Sequence, residues 1–300
     1  MISGYYNQIK NELLNNEVYK RVKDYSKNRN ELSTYYNVGK LLIEAGKQYG
    51  EKIIGNYSEK LVVEVGKKYN KRTLFRMRQF YKLIEEQKVS TVSTQLSWSH
   101  YCELLSIKDI DEINYYIITT ERYNLSVREL RERIKNKEYQ RLDDNTKLKL
   151  INKKELYISD TIKNPIIIKN KLEIDKENVS EKMLQKIILE DIEGFMRELG
   201  DSFSFIGSEY KIKINNAYNY IDLLLFNIKY NCYVVVELKV TEVKKEHIGQ
   251  IEVYMNYIDK HVKNITNDRT IGIIVARRYN HYYIEYSSDK RIYTRDYELV

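Results

Sequence analysis

Residues 220–240, YIDLLLFNIKYNCYVVVELKV, read as two apolar runs separated by a short polar turn. Three charged side chains interrupt them: Asp222, Glu237 and Lys239. Charge inside an otherwise apolar strand is costly unless it is paired or binds something. Side chains alternate along a strand, so Asp222 shares a face with Leu224 and Phe226, and Glu237 shares one with Tyr233, Val235 and Lys239. With Lys229 and Tyr230 as a two-residue turn, Ile228 lies opposite Asn231, and counting outward puts Asp222 opposite Glu237. Cross-strand neighbours have Cβ atoms about 5 Å apart and point to the same side. Two carboxylates that close repel unless one is protonated or a cation lies between them. Mg²⁺, or Mn²⁺ in its place, suits such a pair, because a hard cation takes oxygen ligands and commonly uses one or two carboxylates. Asp222 and Glu237 are therefore the candidate metal ligands. Lys239 is placed beside them, where it can orient a water or balance charge on a phosphate. A lone Glu-x-Lys reads more simply as a solvated surface strand; the Asp counted opposite it favours a site.

The pattern around this hairpin divides the chain. Strand-like stretches FSFIGSEYKIKI (203–214) and TIGIIVARRY (270–279) flank it, and a helical pattern, KKEHIGQIEVYMNYIDKHV (244–262), precedes the last one. Gln250 and Tyr254 are four apart and share one face of that helix. A further helical stretch, VSEKMLQKIILEDIEGFMRELG (179–200), comes before the strands and ends at Gly200. Residues 1–140 carry mostly helical signals. Gly50 stops one helix, a break at 66–70 separates two more, and Asp109 with Glu112 and Ser126 with Glu129 have capping-box spacing. Polar residues 141–156 read as a linker, leaving 157–300 as a second domain.

Composition bounds the function. The 300 residues carry 51 basic and 43 acidic side chains, a net charge of +8, which favours a polyanionic partner modestly. No apolar run approaches the roughly 20 residues of a membrane span, and no signal-peptide pattern opens the sequence. Cys102 and Cys232 are far apart and read as small core residues, compatible with the reducing cytoplasm. Within residues 65–84 lie seven basic side chains and no acidic one. Helix, short turn and basic second helix is the order of a helix-turn-helix. Lys71, Arg72, Arg76, Arg78 and Gln79 are its candidate DNA contacts; Arg72, Arg76 and Gln79 form one stripe, with Leu74, Met77 and Tyr81 facing inward. A solvated basic face on a structural helix is the plainer alternative. Trp98 and His100 read as core and as a satisfied structural histidine.

Asp222, then Glu237-x-Lys239, then Gln250-x-x-x-Tyr254 resembles the PD-(D/E)XK nuclease superfamily, and most closely its bacterial YhcG-type two-domain proteins. Stretches such as YNVGKLLIEAGKQYG, LFRMRQFY, LSWSHYCELL, LSVRELRERIKNKEYQRL, YIDLLLFN and VVVELKVTEVKKEHIGQIEVYM carry the resemblance along nearly the whole chain. It implies an α+β protein: an all-helical, helix-turn-helix-like DNA-binding domain, then an α/β restriction-endonuclease-like domain with a central mixed sheet. It implies a metal-dependent phosphodiesterase site on Asp222, Glu237 and Lys239, with Gln250 and Tyr254 contacting the water, the metal ligands or a substrate phosphate. Relatives often carry a glutamate where this chain has Gln185. Glu181, one turn earlier on that helix, and Glu190, five residues later and about 140° round it, are the substitutes for an extra metal ligand. The resemblance leaves a second reading open, a nucleic-acid- or partner-binding protein whose nuclease domain is inactive. DNA is the expected partner, no membrane is, and a homo-oligomer is compatible with the sequence.

Overall fold

The computed structural model describes residues 4–21, 27–50, 52–85, 93, 95–152, 154–278 and 289–300. They form two compact units, Met1–Tyr139 and Gln140–Val300.

Seven helices make the described part of the first unit: α1 (Gly4–Arg21), α2 (Lys27–Tyr49), α3 (Ile53–Glu64), α4 (Lys71–Glu85), α5 (Trp98–Leu104), α6 (Ile110–Tyr123) and α7 (Val127–Lys135). Local sequence sets their ends. Gly50 takes a φ of 79° after α2. The Asp109 carboxylate accepts from the amides of Asp111 and Glu112 at the start of α6. Ser126 and Glu129 form a reciprocal capping box on α7. The core joins Leu13, Val38, Leu42, Leu61, Leu74 and Met77. Gly39 lets α2 approach α4 closely, since a Cβ there would collide with the Met77 carbonyl. Trp98 packs edge-on against Tyr35 and Phe80. His100 meets the Ser97 hydroxyl with Nδ1 and the Leu125 carbonyl with Nε2, both at 2.9 Å, so its ring is fully engaged in structure.

The second unit contains α8 (Asp144–Ile151), α9 (Ile158–Thr161), β1 (Ile166–Ile168), α10 (Glu181–Glu190), α11 (Ile192–Leu199), β2 (Phe203–Ile214), β3 (Ala217–Asn227), β4 (Cys232–Glu242), α12 (Lys245–His261), β5 (Ile271–Arg278) and β6 (Ile292–Leu299). The sheet runs β1-β6-β5-β4-β3-β2. β2, β3 and β4 are antiparallel neighbours, and β4, β5, β6 and β1 are parallel ones. This is the mixed sheet expected, within an α+β chain. One core places Leu184, Ile187 and Phe195 of α10 and α11 against Leu223, Val236, Leu238 and Ile273. Another places Ile251, Met255 and Ile258 of α12 against Leu224, Val235 and Ile274. The central strands are apolar on both faces because helices cover both faces.

Four details differ from the reading of the sequence. Residues 179–200 form two helices, because Asp191 leaves the helical region with φ −139° and ψ 50°. Residues 141–156, expected as a linker, contain α8 and are tied into the second unit. Arg141 pairs with Glu198 and donates to the Pro165 carbonyl at 2.8 Å, and Lys149 reaches Asp160 at 2.8 Å. The β3–β4 turn has four residues, 228–231, with Asn231 at a φ of 46°. Strands β1 and β6 had no strand signal strong enough to read. Tyr279, the end of the last expected strand, lies outside the described residues.

Candidate active site

The register of the central hairpin builds the site. Leu223 pairs with Val236 and Asn227 with Cys232. This is the counted register, although the turn is longer, because Asn227 and Cys232 close the ladder around all four turn residues. One step beyond Leu223, Asp222 falls opposite Glu237, and there the ladder stops. The Asp222 carboxylate instead accepts a hydrogen bond from the Leu238 amide at 2.8 Å. On the other side, β2 pairs Ser208 with Leu223 and Tyr210 with Ile221, skipping Asp222. Glu209, the residue skipped on β2, takes a φ of 47°. The strand therefore changes face at Asp222. Leu223 and Leu225 pack in the core with α10 and α11, whereas Ile221 joins Leu224 in the core with α12.

Three charged groups converge at this break. Glu237 is 2% exposed and Lys239 is 8% exposed. The Lys239 ammonium lies 3.6 Å from Glu237 Oε2 and 3.3 Å from Glu181 Oε2. Glu237 Oε1 is buried and has no hydrogen-bond partner among the described residues. Burial, then the Asp222 charge, push the Glu237 carboxyl up to about 8, against the opposing effect of Lys239. Burial also raises Asp222; the Leu238 amide and Lys239 oppose it. For Lys239, burial favours the neutral amine, but Glu237, Glu181 and Asp222 together outweigh it and raise its pKa.

The helices supply the surrounding groups. Glu181 opens α10 and is engaged with Lys239. Glu190 closes that helix, exposed, about 14 Å further along its axis. Gln185 is buried between them and donates its amide to the Asp222 carbonyl at 2.9 Å. On α12, Gln250 donates its amide to the Tyr254 hydroxyl at 3.0 Å. Burial raises Tyr254, the Gln250 bond lowers it, and the charges of Glu237 and Asp222 raise it, so its hydroxyl lies within their field. His247, one turn before Gln250 on the same face, had escaped the sequence reading. Burial and the Lys239 charge both lower its pKa, and its Nδ1 accepts from the Lys244 amide at 3.1 Å. Its three-residue spacing from Gln250 was the available signal.

Among the described residues no three His, Cys, Asp or Glu side chains group to hold an ion. Two carboxylates that repel, one with a buried unpartnered oxygen, do fit a hard divalent cation that takes its remaining oxygens from water and substrate.

In the first unit, α4 buries Leu74, Met77, Phe80 and Leu83. Lys71, Arg72 and Gln79 are exposed and Tyr81 is half-buried. Arg76 is half-buried and lies near Cys102 and Glu103, so it departs from the exposed stripe expected of it. The Arg78 guanidinium lies 4.7 Å from the Phe75 ring centroid.

Residues 14–141 match the family described as the DUF1016 N-terminal domain, and residues 159–299 match the YhcG PDDEXK nuclease domain. The Escherichia coli (strain K12) protein named "Putative nuclease YhcG" is 26% identical, over 81% of this chain and 76% of its own. A repair endonuclease from Pyrococcus abyssi is similar over 40% of this chain at 18% identity, with a TM-score of 0.30. The EndoMS–dsDNA2 complex is similar over 41%, also at 18% identity, with a TM-score of 0.31. These likenesses span about half of each solved chain, 47% and 48%. No helix among the described residues is long and apolar enough to cross a membrane.

Proposed function

The chain matches the two-domain YhcG-type family, a PDDEXK nuclease domain behind a DUF1016 N-terminal domain, and from that premise we propose that it is a metal-dependent deoxyribonuclease. The observation that carries the reading is Glu237: a carboxylate 2% exposed, beside a second carboxylate, with one oxygen that has no partner among the described residues. Lys239 meets its other oxygen at 3.6 Å, and a divalent cation shared with Asp222 would complete the neutralisation of two neighbouring buried carboxylates.

Asp222 and Glu237 hold the metal in this reading. A bound Mg²⁺ or Mn²⁺ would polarise a phosphoryl oxygen and lower the pKa of its water. The Leu238 amide keeps Asp222 in one rotamer, so the carboxylate is aimed before the ion arrives. Lys239 stays protonated among three carboxylates and donates to the attacking water or to a phosphate oxygen as charge grows there. Gln250 fixes the Tyr254 hydroxyl, which donates toward the carboxylates or the phosphate. Glu181 holds Lys239 from the α10 side rather than serving as a third ligand. DNA is the substrate class, and the exposed Lys71, Arg72 and Gln79 of α4, with Arg78 on Phe75, supply contacts from the helical unit.

Purified protein incubated with linear, nicked, single-stranded and branched DNA, with and without Mg²⁺ or Mn²⁺, tests the proposal. Cleavage should require the metal, vanish in Lys239→Ala with metal binding retained, and vanish together with metal binding in Asp222→Ala. Cleavage persisting in both variants ends the assignment. A second reading, a binding protein with a silent nuclease domain, is favoured by one observation, Gln185 at the helix position where relatives often carry a glutamate. Wild-type protein that binds DNA and cuts none of these substrates with either metal would select it.

A further inference from the structure

Beyond Asp222, the β2–β3 hairpin carries an outward face that the proposed chemistry does not use. Lys211 pairs directly with Tyr220, and Lys213 with Tyr218. Direct cross-strand partners point to the same side, so these four side chains share one face. Tyr218 is 57% exposed and Tyr220 52%. The Lys211 ammonium lies 3.8 Å from the Tyr218 ring centroid. The opposite face of the hairpin, with Tyr210, Ile212, Ile214 and Ile221, packs in the core with α12. On β3 that outward face carries Tyr218 and Tyr220 and ends where the strand changes face at Asp222.

Lysines on the edge strand β2 have a sufficient structural reason: they discourage pairing with another chain. That reason does not extend to two large aromatic rings left more than half exposed on the neighbouring strand. Rings interleaved with ammonium groups are what an unpaired nucleic-acid strand requires. Bases stack on the rings and phosphates meet the cations. A duplex does not fit as well, because its base faces are hidden within the stack. The two rings stand about 7 Å apart along the strand, roughly twice the ~3.4 Å spacing of phosphates on one strand of B-DNA. They would receive separated, unstacked bases.

We propose that Tyr218, Tyr220, Lys211 and Lys213 form a track for a single nucleic-acid strand on the outward face of the β2–β3 hairpin. The inference rests on reading Asp222, Glu237 and Lys239 as the nuclease centre for its purpose, but its binding face stands on geometry of its own.

The test uses the full chain in EDTA, so that binding is read without cleavage. Anisotropy of labelled oligothymidylate, oligouridylate and a blunt DNA duplex is followed across a salt titration. Tyr218→Ala and Tyr220→Ala should each weaken single-strand binding by roughly 5- to 150-fold, with the far-UV circular dichroism unchanged. Tyr220→Phe should bind as wild type, because stacking needs the ring and not the hydroxyl. Lys211→Ala with Lys213→Ala should reduce the log–log salt slope by about 1.4. Oligouridylate bound as tightly as oligothymidylate assigns the track to single strands of either sugar; weaker binding assigns it to DNA. Unchanged oligothymidylate affinity in the folded double Tyr→Ala variant overturns the proposal, as does an equal loss of duplex affinity. The two readings fail separately. Tyrosine-dependent binding by a wild-type protein that cuts nothing keeps the track and removes the nuclease. Metal-dependent cleavage with tyrosine-independent binding does the reverse.

Discussion

The Asp222 carboxylate takes the Leu238 amide at 2.8 Å, replacing a backbone ladder bond between β3 and β4 with a side-chain bond. The two strands separate at that point without leaving the Leu238 amide unpaired. The same bond aims one carboxylate at the gap that the separation opens. Glu237, the residue before Leu238, points into that gap from the other strand.

Charge at Asp222 is the lever on the site. Asp222→Asn preserves the volume and an acceptor for Leu238, so stability at neutral pH should change by less than about 1.5 kcal/mol. Glu237 loses its repelling neighbour, and its pKa should fall from about 8. Mn²⁺ binding, read by calorimetry, should disappear. Retained Mn²⁺ affinity would exclude Asp222 as a ligand.

The raised Glu237 also makes metal-free stability depend on pH. An unfolded glutamate titrates near 4.3, whereas the folded one titrates at about 8. The folded state thus binds more protons between those values, and linkage makes stability fall as pH rises through that window. The contribution is fully present below about 4.3 and lost above about 8, and the Glu237→Gln variant should lack it. Mg²⁺ at a hundredfold excess over its dissociation constant should restore about 2.7 kcal/mol at pH 8. Parallel wild-type and Glu237→Gln denaturation curves between about pH 5 and about pH 8.5 would refute this account.

Gln185 is buried and donates to the Asp222 carbonyl at 2.9 Å. Gln185→Ala leaves that carbonyl without this donor and should cost about 1–3 kcal/mol in urea unfolding. Gln185→Glu cannot donate when ionised and adds a further carboxylate beside Asp222, so it should cost more without metal and recover part of the loss with Mg²⁺. Equal costs for the two variants, independent of Mg²⁺, would mean that Gln185 is merely a packing residue.

Two arginines of α4 should separate. Arg72 is exposed, and Arg72→Ala should change stability by less than about 0.5 kcal/mol while lowering the DNA salt slope by about 0.9. Arg76 is half-buried against Cys102 and near Glu103. Arg76→Ala should therefore lower the thermal midpoint measurably. Identical DNA affinity in Arg72→Ala across the titration would move the DNA surface away from α4.

Much of this was written in the sequence, because alternation and register are local. Strand period placed Asp222, Glu237 and Lys239 on one side, and the hairpin count survived a longer turn because Asn227 and Cys232 close the ladder in the same register. Gly50, Asp109 and Ser126 marked helix ends by their own backbone and capping chemistry. The tertiary structure alone decided the rest. Strand β1 is three residues, Ile166–Ile168, and it forms by pairing with β6 from the far end of the chain, so no local pattern announces it. Residues 141–156 look like a linker because they are polar, yet Arg141 finds Glu198 57 positions away. Which glutamate of α10 meets Lys239, that Gln185 binds the Asp222 backbone, and that β3 changes face at Asp222 all depend on helices packing across a sheet. Periodicity gives the direction of a side chain on its own element; only packing between elements determines what that side chain meets.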